Sequence, residues 1–142
     1  MTLSLRVVIA MSSIPPDQLM EAVSAWALAF LLTLSLEAPI YWYALRVDRA
    51  GARLSRSHRV VSALMASGFT HPFIWWVLPP LCIALGFSTL SYIMIAESVA
   101  LFIEALLLWT QGCRRPLLNA LIANGISSII GSLFFYKVIK VI

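Results

Sequence analysis

The chain has 142 residues, of which 61% are hydrophobic and 11% charged, and its formal net charge is +4. That length bounds it to one domain, and a chain so small cannot hide this much apolar surface in a core of its own. An ordinary soluble domain carries about a quarter of its residues as charges, so the composition argues for a lipid-facing surface. It argues equally against a soluble nucleic-acid-binding domain, since the basic residues are grouped between long apolar runs rather than spread over a face.

Residues 1–14 are mostly apolar but too short to span a bilayer, with Arg6 the sole early charge. A cleavable signal is disfavoured, because a full-length span and an arginine-rich loop come next. Ser13 is the expected cap. Pro15 and Pro16 suit a first turn, and Asp17 and Glu21 complement the positive helix end. The first predicted span runs over about 20–45. The loop 46–59 follows and holds Arg46, Arg49, Arg53, Arg56 and Arg59 with Gly51.

No Asp, Glu, Lys or Arg occurs between Arg59 and Glu97, a stretch too long for one crossing. Pro79–Pro80 and Gly86 are the expected break, giving a second span over about 60–78 and a third over 89–110. The loop 111–115 carries Arg114 and Arg115, and Pro116 starts a fourth span to about 136. The reading is an all-α integral membrane protein of four transmembrane helices.

Seven basic residues lie in the two hairpin loops, against Arg6, Lys137 and Lys140 on the other face. The positive-inside rule then places both termini outside the cytoplasm, with a bacterial inner membrane as the expected location. Tyr41, Trp42, Tyr43 and Trp109 read as anchors at one interface, and Trp26, Trp75, Trp76 and Tyr136 at the other. Cys82 and Cys113 fall at opposite faces, about 30 Å apart, and are not expected to pair.

An internal similarity has an offset of 57 residues. Ser62–Thr70 (SALMASGFT) aligns with Asn119–Ser127 (NALIANGIS), with four of nine positions identical. Glu37 and Glu97 correspond if a three-residue gap is allowed. The expectation is two parallel helical-hairpin repeats. Ser62, Ala66 and Thr70, and Asn119, Ala123, Ser127 and Gly131, form rows of small or polar residues spaced by four. Such rows let helices approach closely in lipid, so the second and fourth spans are expected to pack on each other through them.

Six polar residues fall at membrane depth: Glu37, His71, Glu97, Glu104, Asn124 and Ser127. At a helical rise of 1.5 Å, Glu37, Asn124, His71 and Glu97 lie ~12–18 Å from the cytoplasmic end, and Glu104 is shallower at ~8 Å. A carboxylate there costs at least ~2.5–3.5 kcal/mol on insertion scales, so these groups should turn inward toward one another. Pro39 frees the carbonyl of Ser35, and Pro72 that of Gly68, beside the ionisable groups. Broken helices of this kind recur at ion sites in transporters. His71, Glu97 and Glu37 are the ligand types a divalent metal or proton site would use.

Three functions follow in order of preference. The first is proton- or cation-linked transport or conduction, in a homo-oligomer because four helices make a thin pathway. The second is a non-catalytic subunit or assembly factor beside a partner membrane subunit. The third is an intramembrane enzyme acting on lipid or peptide. The sequence names no cofactor and contains no HExxH, GxSxG, P-loop or GxGxxG motif.

Overall fold

The computed structural model describes residues 16–46 and 52–139, with side chains over 18–46 and 52–134. The expectations for residues 1–14 and Pro15, for Arg49 and Gly51, for the Asp17, Tyr136 and Lys137 side chains and for Lys140 lie outside the described residues. The chain is all-helical: α1 is Pro16–Ala44, α2 Arg56–Pro72, α3 Leu78–Leu85, α4 Thr89–Thr110 and α5 Pro116–Ile139. A π-helical segment, Phe73–Val77, joins α2 to α3. The α2–π–α3 run counts as one crossing, so four helical stretches are long and apolar enough to cross a membrane.

The helix ends have local causes. Ser55 caps α2 by accepting from the His58 amide, and Ser88 caps α4 by accepting from the Ser91 amide, satisfying donors that the first turn leaves free. Gly86 ends α3 at φ 74° and Gly112 turns the last loop at φ 86°, conformations an L side chain resists.

The second crossing runs on through the expected break at Pro79–Pro80 and stops only at Gly86. Within a regular α-helix these prolines would clash with carbonyls one turn earlier. The π segment takes up that mismatch: the Leu78 amide reaches back five residues to the Phe73 carbonyl, and the prolines then sit in the first turn of α3, where a missing N–H costs little. Tyr92 Oη on α4 donates to the Ile74 carbonyl at 3.1 Å, satisfying an acceptor the irregular turn exposes.

The four long helical stretches close into a ring. α1 packs on α2 and α5, and α4 packs on α2 and α5. The expected contact between the second and fourth spans is therefore not the arrangement found: α2 and α5 stand diagonally across the ring. Their rows do point inward, with Ser62, Ala66, Thr70, Ala123 and Ser127 all buried. They face large side chains of α1 and α4 instead of each other. Tyr41 and Leu108, both fully buried, belong to one apolar cluster with Ala63, Ala66, Ala120 and Ala123. Gly131 is a further correction, since a Cβ added there would meet nothing within 4 Å; it borders a cavity and seats no neighbouring helix.

The ring is apolar outside and polar within. Leu31, Met65, Phe102, Leu121 and Leu133 are among many exposed large hydrophobic residues, while Glu37, Glu104, Ser67 and Thr70 are buried. That distribution inverts a soluble protein's and matches what a bilayer requires.

Candidate functional site

The site is a layer of side chains about two turns from the ends of α1 and α4 that meet the short loops. Glu37 on α1 is 1% exposed and Glu104 on α4 is 2% exposed. Each carboxyl is held by neutral donors from both α2 and α5. Ser67 Oγ donates to Glu37 Oε2 at 2.7 Å and Ser127 Oγ to Glu37 Oε1 at 2.6 Å. Thr70 Oγ1 donates to Glu104 Oε1 at 2.8 Å, and Asn124 Nδ2 donates to Glu104 Oε2. A fifth donor comes from α1, where Tyr41 Oη reaches the same Glu104 Oε2.

This pattern has a two-fold regularity. At the offset of 57, Ser67 corresponds to Asn124 and Thr70 to Ser127. Exchanging the two hairpins thus turns the Glu37 contacts into the Glu104 contacts. The corresponding carboxyl is Glu104 and not Glu97, as the three-residue gap had suggested. Leu34–Trp42 (LSLEAPIYW) and Leu101–Trp109 (LFIEALLLW) then align at an offset of 67, again with four of nine positions identical. The ten-residue difference between the two offsets falls between the aligned stretches, where the first hairpin has the longer loop. Tyr41 breaks the regularity, because its counterpart is Leu108.

Of the six expected residues, four come together: Glu37, Glu104, Asn124 and Ser127. Glu104 belongs to the heart of the layer and not to a shallower level. His71 and Glu97 stand apart. His71 is buried between Phe30 and Trp75, with ring centres 5.2 and 6.0 Å away, and its Nδ1 has no hydrogen-bond partner. Glu97 is exposed and accepts one bond, from Ser128 Oγ at 3.0 Å. Among the described residues no three His, Cys, Asp or Glu side chains are placed to hold a metal ion, so the expected grouping of His71, Glu97 and Glu37 is not formed. Both cysteines are buried and free.

Three participants were not foreseen as site residues: Tyr41, Ser67 and Thr70, the last expected only to pack helices. Tyr41 reads as an interface anchor beside Trp42 and Tyr43, yet it is fully buried; its spacing of four from Glu37, on the same face of α1, is the signal. Ser67 is marked by the internal similarity, in which it aligns with Asn124.

A cavity of about 190 Å³ adjoins the layer. Both buried carboxyls, Thr70, His71 and Ser127 line it, and Glu97, Asn124 and Ser128 lie at the side where α4 meets α5. The same three residues also line a groove of about 360 Å³ on the outer face, with Ser98 and Gly125. A polar track thus leads from Glu104 through Asn124 to Glu97.

Chemically, the layer holds acid groups without a basic partner. Among the described residues no Lys, Arg or His donates to Glu37 or Glu104; their partners are hydroxyls and one amide. Hydroxyls can donate to a carboxylate or accept from a carboxylic acid, so four of the five contacts tolerate either protonation state. Comparison with family models, with curated proteins and with solved structures finds no match for this chain.

Proposed function

We propose that this chain is a multi-pass membrane protein that binds and passes a proton or small cation through its carboxyl layer. The observation that carries the reading is the pair Glu37 and Glu104, buried in one ring with neutral donors and, among the described residues, no basic partner. Buried charges are paired or neutralised, and here a proton or a cation is what remains to do it. Hydroxyl rotation at Ser67, Thr70, Ser127 and Tyr41 would let the layer exchange a proton without moving a helix. The track through Asn124 to Glu97 supplies a way in and out between α4 and α5.

The chain is read as inserted by its four apolar crossings, in a bacterial inner membrane, with both termini extracytoplasmic by the distribution of arginine and lysine. The two hairpins are read as a duplication, supported by the matched stretches at offsets 57 and 67 and by the exchange symmetry of the hydrogen bonds.

The test is flux into liposomes holding the purified protein, followed with a pH-sensitive or cation-sensitive dye. Glu104→Gln and Glu97→Gln should each lower flux at least about tenfold, the size expected when a charge-assisted contact is lost. Normal helicity would accompany the loss. Unchanged flux in both variants, or no flux in the parent protein, would sink the reading.

One observation favours a second role, as a non-catalytic subunit beside a partner. Glu97 sits on the outer face with a single bond, and a carboxyl at that depth is costly against acyl chains. A second copy or a partner helix covering the α4–α5 groove would relieve it. Purification from the native membrane in mild detergent separates the cases: a stoichiometric different subunit supports this role, and a lone homo-oligomer supports transport.

A further inference from the structure

A second cavity lies away from the carboxyl layer, where α1 ends and α2 begins. It encloses about 640 Å³ and is walled by Arg46, Arg53, Arg56 and Arg59 with Trp42 and Tyr43. Among the described residues that wall it none is acidic; Asp48, in the same loop, lies outside the described residues. We propose that this cavity binds a phosphate-bearing anion at the membrane boundary, with an anionic phospholipid headgroup as the favoured source.

Charge alone would set topology from any position along the loop, so topology does not account for the way these arginines are built. Arg59 is buried, its Nε donates to the Trp42 carbonyl at 3.0 Å, and its guanidinium carbon stands 3.8 Å from the centre of the Trp42 ring. One of five N–H groups is thereby fixed, and the other four have no hydrogen-bond partner among the described residues. A guanidinium oriented in this way has lost its rotational freedom before any ligand arrives, and its planar fork matches the oxygens of a phosphate. Arg46, Arg53 and Arg56 are exposed and line the same space.

The lipid source is favoured by position. Trp42 and Tyr43 are 39% and 66% exposed, beside the end of a helix long enough to cross, and such rings settle at headgroup level. Clusters of Lys and Arg immediately outside a crossing attract anionic lipid. This inference shares the membrane insertion of the proposed function but none of its ion chemistry, so either can fail alone.

The test uses the full chain purified in detergent. Native mass spectrometry would follow phosphatidylglycerol against phosphatidylcholine, and calorimetric titration would follow inorganic phosphate. Arg53 and Arg56 are exposed, so Arg53→Gln with Arg56→Gln should leave the fold intact. The double variant should retain phosphatidylglycerol about tenfold less well, while Arg114→Gln with Arg115→Gln, removing the same charge from the other loop, should not. Saturable phosphate binding that displaces the lipid and is lost in the first pair would assign a free phosphate compound as ligand of the same site. No preference for phosphatidylglycerol together with no phosphate binding, or equal losses in both pairs, would overturn the proposal. Should circular dichroism show the first pair unfolded, Arg46→Gln carries the same comparison.

Discussion

Tyr41 and Glu104 are joined across the diagonal of the helix ring, the Tyr41 hydroxyl donating to Oε2 at 2.5 Å over a separation of 63 residues. The bond ties the first hairpin to the second through a fully buried ring and a nearly buried carboxyl. It is also the contact that the two-fold pattern does not repeat. Tyr41→Phe keeps the ring packed with Ala66 and Ala123 and removes only the hydroxyl. Hydrogen bonds to charged groups contribute about 1.5–3 kcal/mol in soluble proteins, and interhelical ones in membranes average nearer 0.6. The expected loss is about 1 kcal/mol in unfolding by denaturing detergent, read by circular dichroism. A loss of several kcal/mol would mean the ring itself had moved.

Ser67 and Asn124 offer a test of the exchange symmetry. Each donates to the carboxyl of its own hairpin, Glu37 and Glu104 respectively. Ser67→Asn with Asn124→Ser moves the donors between hairpins and keeps one for each carboxyl. The exchanged protein should unfold within about 1 kcal/mol of the parent, while Ser67→Ala with Asn124→Ala should lose about 2 kcal/mol, because both carboxyls lose a buried donor. Equal losses in the two double variants would show that the hairpins are not interchangeable at this layer.

Much of this arrangement is legible without coordinates, and the exceptions have physical reasons. The four long apolar helical stretches follow from hydropathy, and the α4 limits from Gly86, the loop 111–115 and Pro116. Pro79–Pro80 mislead because a proline in a regular helix interior costs ~3 kcal/mol, whereas the π segment before them removes the clash. Glu104 reads as shallow because depth counted from a loop carries an error of about a turn, enough to separate two carboxyls that share a layer. Glu97 does share the inward face with Glu104, seven residues on. At its height that face borders the groove along α4 and α5, where Glu97 is exposed and accepts from Ser128. Helix spacing reports a shared face but not how far each residue on it is covered.

Ala66 and Ala123 are fully buried in one cluster with Tyr41 and Leu108. They occupy corresponding positions in the two hairpins. A leucine at either place has no space to enter, and overpacking of a filled core costs about 1–3 kcal/mol. Ala66→Leu and Ala123→Leu should therefore each destabilise the ring by about that much. Gly125→Ala should be close to neutral, because a Cβ there meets nothing within 4 Å. Thermal unfolding in detergent, compared across the three variants, checks the ordering. A Gly125→Ala protein as unstable as the two leucine variants would contradict the packing described.

Arg59 separates charge from geometry at the other end of the ring. Arg59→Lys keeps the positive charge, and with it the contribution to orientation, but no ammonium can reproduce the Nε contact with the Trp42 carbonyl and the stacked guanidinium together. The part-buried Trp42 carbonyl would be left without that donor, at a cost of about 1–2 kcal/mol. Cation–π contacts with lysine persist but are weaker than this planar stack. The variant should insert with unchanged orientation, shown by the accessibility of single cysteines placed in the loops of a protein lacking Cys82 and Cys113. It should nevertheless unfold about 1–2 kcal/mol more readily than its parent. Unchanged stability would mean that the α1–α2 junction is held by charge alone, and the preorganised arginine would lose its role in gripping an anion.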